Sequence, residues 1–134
     1  MGKKIVSTGR GGAGKTTFTA LATRYLPHPL LLIDIDPDQS LADMLGIDLE
    51  KEGVRTILDI LYDIQKKKGY EDLNSMPIPQ KIEYLFSSDC IYESKEFDLV
   101  SLGVKWTDGC YCAPNNLLKG IIPRLAQNYA HTLI

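Results

Sequence analysis

The stretch Gly9-Arg10-Gly11-Gly12-Ala13-Gly14-Lys15-Thr16-Thr17 constrains this chain more than any other. It follows the short apolar run Ile5-Val6 and opens a helical pattern, the context in which G-x-x-x-x-G-K-[ST] binds phosphate. Glycines let backbone N–H groups turn inward around phosphate oxygens, where a Cβ would collide. The following helix points its positive end at the same anion. Lys15 is then placed to neutralise the β and γ phosphates, and Thr16 to offer a hydroxyl to Mg²⁺. The expected nucleotide-binding residues are Gly11, Gly12, Ala13, Gly14, Lys15, Thr16 and Thr17. Gly9, Gly11 and Gly14 also satisfy G-x-G-x-x-G, with Asp34 or Asp36 as the acid about 20 residues further on. A nucleoside triphosphate is the better reading. A dinucleotide pyrophosphate is satisfied by backbone alone and has no use for a Lys-Thr pair after the last glycine.

The surrounding pattern predicts an α/β fold with a mostly parallel sheet and helices on both faces. Lys4–Thr8 reads as a buried strand. Lys15–Leu26 reads as a helix with Phe18, Leu21, Ala22, Tyr25 and Leu26 on one face, ended by Pro27-His28-Pro29 with His28 as a turn residue. The run Leu30-Leu31-Leu32-Ile33-Asp34-Ile35-Asp36 is nearly continuous apolar character ending in acids, as in a strand buried on both faces. Strand, phosphate loop, helix and strand make a βαβ unit. Ser40 is expected to cap a short helix over Leu41–Leu45. Further helices are predicted over Val54–Lys67, over Gln80–Phe86 with Pro79 at its start, and over Asn115–Gln127, where Pro123 implies a kink or restart. Asn74–Pro79 is a turn-rich break and Lys105–Pro114 a loop. Phe97–Gly103 is a third strand, and Ala130–Ile134 begins a fourth.

The phosphate loop, the strand end Asp34-Ile35-Asp36-Pro37 and the size of the intervening helix resemble the dimeric ParA/MinD-type ATPases, which include the nitrogenase iron protein. Their loop reads K-G-G-x-G-K-[ST], and its first lysine reaches across the dimer to the partner's nucleotide. Arg10 stands at that position here. Arginine binds phosphate bidentately and serves in trans in other nucleotidases. Within that group, Gly109-Cys110-Tyr111-Cys112 followed by Asn115-Asn116-Leu117-Leu118, together with Asp36-Pro37-Asp38 and Ser40-Leu41-Ala42, resembles the carbon monoxide dehydrogenase accessory ATPases of the CooC type. The resemblance covers the whole chain and the N-terminal half of such proteins, so residues 1–134 are expected to form one nucleotide-binding domain, incomplete at its C-terminus. The later strand that carries a second Mg²⁺-binding acid is not among these residues. The resemblance implies a homodimer that binds and hydrolyses Mg²⁺-ATP, with ATP or ADP bound, Lys15, Asp36 and Arg10 as catalytic residues, and carbon monoxide dehydrogenase as client.

One C-x-C offers two thiolates, half of a tetrahedral site. Soft sulfur ligands suit Zn²⁺ and also Ni²⁺ in a four-coordinate site. A two-fold axis would bring four sulfurs together, so Cys110 and Cys112 of two chains are expected to hold one Zn²⁺ or Ni²⁺ at a dimer interface. The alternative is two ordinary loop thiols. Cys90 reads as a core thiol. Asp36 is the acid that the resemblance makes water-orienting. Asp34 is either supporting or structural, and Asp38 either reaches a Mg²⁺-bound water or caps its loop. Asp43 and Asp48 read as solvated, and Trp106 and Tyr111 as packing or interface aromatics.

Composition bounds the alternatives. Fifteen basic against seventeen acidic residues give a formal net charge of −2, which lends no support to a nucleic-acid surface. Lys66-Lys67-Lys68 sits at a predicted helix end, where cations suit the helix dipole. No apolar stretch approaches the ~20 residues of a membrane span, and Lys3-Lys4 leads directly into a strand, unlike a signal peptide. A cytoplasmic protein without nucleic-acid or membrane partners is therefore expected. Two rivals stand beside the maturation ATPase. One is a partitioning or positioning ATPase acting on DNA or membrane. The other is a nucleotide-binding fragment that does not hydrolyse.

Overall fold

The structure, a computed structural model, describes residues 2–71, 75–104 and 112–134, with side chains for all of these except 112–115. Among the described residues, five strands form one sheet in the order β1-β5-β2-β4-β3. They are β1 (Lys3–Ile5), β2 (Leu30–Asp34), β3 (Tyr92–Glu93), β4 (Asp98–Ser101) and β5 (His131–Leu133). The pairs β1–β5, β5–β2 and β2–β4 are parallel, and only β3 runs antiparallel, against β4. The helices are α1 (Lys15–Ala22), α2 (Ser40–Met44), α3 (Ile57–Lys68), α4 (Ile78–Phe86) and α5 (Cys112–Leu125). This is the α/β, P-loop NTPase-like architecture expected from the sequence.

The central strand β2 shows why the sheet is covered twice. All five of its residues are buried. Leu31 and Ile33 point into a cluster with Ile57, Leu58 and Leu61 of α3 and Ile121 of α5. Leu30 and Leu32 point into a second cluster with Leu41 and Ala42 of α2, against which Ala20 and Ala22 of α1 pack. The two-residue period of a strand sends alternate leucines to opposite faces, so an unbroken apolar run requires helices on both sides. α1 and α2 cover one face, and α3, α4 and α5 cover the other.

The helix limits follow local chemistry. Thr56 caps α3 by accepting from the backbone N–H of Asp59 at 3.2 Å, and Gly69 closes it in the left-handed region, φ 72°, as helix C-termini favour. That start is three residues past the expected Val54 because Thr56 supplies the cap. α4 begins at Ile78 with Pro79 in its first turn. α5 begins at Cys112, earlier than the expected Asn115, and contains Pro123. It tightens into a 3-10 turn over Ala126–Asn128.

Two expectations for the N-terminal unit are overturned. β1 is an edge strand, not a buried one: Lys3 and Lys4 are exposed and Val6 is 60% exposed. β5 inserts between β1 and β2, so among the described residues β1 pairs on one side only. α1 turns only part of its expected face inward, with Ala22 and the following Leu26 packed against the second cluster. Phe18, Leu21 and Tyr25 are 54%, 50% and 83% exposed, while Thr19 and Thr23 are buried. The helix itself stops at Ala22, short of the expected Leu26. β3 was not visible in the sequence pattern, since two residues are too few to show an alternation.

Candidate nucleotide-binding site

In a parallel sheet the strand C-termini share one edge, and ligands bind in the crevice there. The phosphate loop leaves β1 at that edge. Gly9, Gly12 and Gly14 have φ of 149°, 78° and 87°, values that side chains with a Cβ rarely adopt. A Cβ on Gly9 would lie 3.3 Å from the Ala13 Cβ, whereas Gly11, Gly12 and Gly14 face open space. The loop is thus tight at its root and open along its rim, which leaves its backbone accessible to an anion. Gly14 sits at the N-cap of α1 without a side-chain cap, so the first-turn N–H groups have no intrahelical acceptor.

Lys15 folds back over the loop. Its Nζ donates to the carbonyl oxygens of Gly9 at 2.8 Å and Arg10 at 2.9 Å. Those two bonds hold the ammonium at the loop mouth and leave its third N–H for an acceptor. Arg10 is exposed. Ser7, Lys15, Thr16, Asp34, Asp36 and Ile134 line a cleft of about 80 Å³ beside the loop. A larger open depression, about 520 Å³, is bordered by Asp43, Asp48 and Glu50. Its lining holds carboxylates and no cation, whereas the smaller cleft sets Lys15 beside its acids, so the charge pattern favours the smaller cleft.

The acids arrive on the loop after β2. Asp34 is buried. Its carboxylate accepts from the backbone N–H of Asp36 at 3.0 Å and of Leu41 at 3.3 Å. Burial pushes the Asp34 carboxyl above its ordinary value, those two N–H groups pull it back, and the nearby Asp36 pushes it up further. Asp34 is therefore the brace that folds the 35–41 loop over the strand ends. Asp36 is half-buried and accepts from the backbone N–H of Asp38 at 3.0 Å. Gln39 takes a left-handed conformation, φ 51°, and its Oε1 accepts from the Ser101 hydroxyl at 3.5 Å.

Sequence reasoning missed the placement of Ser40. It is the first residue of α2, and Gln39 occupies the N-cap, so the expected cap is overturned. The Ser40 hydroxyl lies 3.2 Å from the Thr16 hydroxyl and 3.5 Å from Asp36 Oδ2. The i→i+2 Asx pattern that makes Asp34 and Asp36 brace their own loop was legible in the Asp-x-Asp-x-Asp spacing. The approach of Ser40 to a residue 24 positions earlier was not.

The structure therefore gathers Lys15, Thr16, Asp36 and, unforeseen, Ser40. Cys110, Trp106, Tyr111 and the side chain of Cys112 lie outside the described residues. Among the described residues, no group of three or more His, Cys, Asp or Glu could hold a metal. Cys90 is buried and donates to the Leu85 carbonyl at 3.2 Å, as a core thiol should. Asp43 and Asp48 are exposed, Asp48 in an ion pair with Lys51 at 3.2 Å. No helix among the described residues is long and apolar enough to cross a membrane.

No protein-family profile matches the chain. Two curated proteins are similar to it. An uncharacterized ATP-binding protein of Methanocaldococcus jannaschii, MJ0685, is 35% identical over 135 residues, covering 97% of this chain and 51% of that protein. The carbon monoxide dehydrogenase accessory protein CooC of Rhodospirillum rubrum is 36% identical over 69 residues, covering 49% of this chain and 24% of CooC. The chain thus spans about half the length of the first relative and less of the second. Together with the loop geometry, the similarity to an ATP-binding protein supports nucleotide binding.

Proposed function

We propose that the chain is one nucleotide-binding domain that takes Mg²⁺-ATP at the β1–α1 loop and hydrolyses it. The convergence of Lys15, Thr16 and Asp36 in one cleft at the strand C-termini carries this reading. Gly11 to Thr17 cradle the phosphates, and Lys15 neutralises the β and γ groups. Asp36 orients the attacking water, whose oxygen bonds to the γ phosphorus as the bond to the β–γ bridging oxygen breaks and ADP leaves. The oxygen donors gathered at the cleft, the Thr16 hydroxyl and the Asp36 carboxylate, suit Mg²⁺, which is held by few protein groups, substrate phosphates and water. Bound there, the cation would neutralise charge on the phosphates. The exposed Arg10 is free to reach the nucleotide of a second copy in a homodimer. In that dimer Cys110 and Cys112 of both chains hold one Zn²⁺ or Ni²⁺ for delivery to carbon monoxide dehydrogenase in the cytoplasm. The similarity to CooC supports this client.

Two experiments test the two halves of this reading. Phosphate release from Mg²⁺-ATP should fall by at least about 100-fold in Lys15→Ala and Asp36→Asn, on the scale of removing one charge-stabilising group. Normal turnover in Lys15→Ala would refute the catalytic half. Metal content and oligomer mass, with and without Mg²⁺-ATP, test the rest. One metal per two chains, lost in Cys110→Ser/Cys112→Ser, is expected. No metal in either protein, at the same mass, would refute metal handling.

A further inference from the structure

Ser40 fits no role that its position at the start of α2 would suggest. It does not cap the helix, since Gln39 holds the N-cap with no side-chain bond to the first turn. Its hydroxyl instead joins two residues from separate segments, Thr16 at the start of α1 and Asp36 on the loop after β2. The placement is built into the fold. Asp34 grips the backbone N–H of Asp36 and of Leu41 with its two carboxylate oxygens, which fixes the loop on both sides of Ser40. α1 and α2 also pack on the same face of the sheet.

The direction of the chain of hydroxyls follows from its end. A carboxylate oxygen only accepts, so in the 3.5 Å approach to Asp36 Oδ2 Ser40 is the donor. Either hydroxyl could donate in the 3.2 Å contact, and with the Ser40 proton turned to Asp36 the donor there is Thr16. A threonine hydroxyl that donates to a fixed acceptor presents its remaining lone pairs elsewhere, and a hydroxyl ligates a cation through a lone pair. We propose that Ser40 is a positioning residue for the divalent cation of the nucleotide. It accepts the hydrogen bond of the Thr16 hydroxyl so that the Thr16 oxygen's lone pairs face the metal, and it holds the Asp36 carboxylate on the same side. The inference rests on the reading of this cleft as a Mg²⁺-nucleotide site. Groups that orient a metal ligand are commonly worth 10–100-fold in metal affinity.

The test is the Mg²⁺ dependence of binding of a fluorescent ATP analogue to the full chain, compared with binding in EDTA, for the wild type, Ser40→Ala and Ser40→Thr. Ser40→Ala should raise the Mg²⁺ concentration for half-maximal tightening by roughly 10-fold or more while leaving affinity in EDTA unchanged. Ser40→Thr, which keeps the hydroxyl, should restore most of the loss. A Ser40→Ala protein with wild-type Mg²⁺ dependence would overturn this inference alone. So would equal losses with and without Mg²⁺ that Ser40→Thr does not rescue, the behaviour of a merely structural residue. A wild-type chain that shows no Mg²⁺-dependent binding would overturn the inference together with the nucleotide reading beneath it.

Discussion

Replacing Gly103 by alanine should be among the most damaging single changes in this chain, and a second substitution should partly repair it. Gly103 follows β4, is buried, and has φ 88°. A Cβ there would lie 2.5 Å from the Cβ of Thr56 and 3.0 Å from its Cγ2, and would meet the Thr56 hydroxyl oxygen as well. Thr56 is the N-cap of α3, and Leu58 in the first turn of α3 donates to the Leu102 carbonyl at 3.0 Å. The left-handed backbone costs alanine about 1–2 kcal/mol. Displacing a buried neighbour costs about 1–3 kcal/mol. Losing the cap bond adds about 1 kcal/mol. The sum, about 3–6 kcal/mol, is a large part of the 5–15 kcal/mol typical of a domain. Thr56→Gly removes every Thr56 atom in that contact. Glycine is itself an acceptable N-cap, only a few tenths of a kcal/mol worse than threonine, although it forfeits the packing of a buried side chain. Urea unfolding with linear extrapolation reads all four proteins of the cycle. Gly103→Ala/Thr56→Gly should be more stable than Gly103→Ala, by roughly 1–3 kcal/mol, because only the backbone strain and a weak cap remain. Additive losses would refute the steric account.

Two further outcomes follow from titrating groups. Burial pushes the Cys90 thiol up to about 11, so at pH 8 only about one molecule in a thousand carries the reactive thiolate. In Cys110→Ser/Cys112→Ser, alkylation of the native protein at pH 8 should be at least about 100-fold slower than in urea, and equal rates would contradict the buried placement. For Asp34 the carboxyl is raised in the folded state, so its contribution to stability is full below the ordinary carboxylate value and is lost as pH rises through the raised one. The stability of the wild type relative to Asp34→Asn should therefore be most favourable at acid pH and decline as pH rises from about 4. A difference that grew with pH would show that the two N–H bonds outweigh burial.

What could be read from the sequence divides along physical lines. The loop after β1 was legible because its positive-φ glycines and the Lys15 that folds back over it are local features. The doubly buried β2 was legible because an unbroken Leu30–Ile33 run fits few other environments. The C-terminal limit of α3 was legible because Gly69 stops it within one residue of the expected Lys67. The edge placement of β1 was not legible, since it depends on β5, some 125 residues later, entering between β1 and β2. The inward face of α1 was legible only in part: of the expected stripe Phe18, Leu21, Ala22, Tyr25 and Leu26, only Ala22 and Leu26 pack inward, because the packing of α1 beside α2 sets which residues meet the sheet. The small residues Thr19, Ala20, Ala22 and Thr23 allow that close approach. Within the candidate site, Lys15 and Thr16 were expected from the loop motif and Asp36 from the family resemblance, and Ser40 was missed because a helix-start serine has a ready local explanation.

The most direct test of the central claim is calorimetric titration of the full chain with ATP in Mg²⁺, beside Lys15→Ala. The account predicts saturable binding of one nucleotide per chain, weakened at least about 100-fold when the ammonium held over Gly9 and Arg10 is removed, a loss of about 2.7 kcal/mol. Wild-type affinity in Lys15→Ala, or no binding by the wild type, would contradict it.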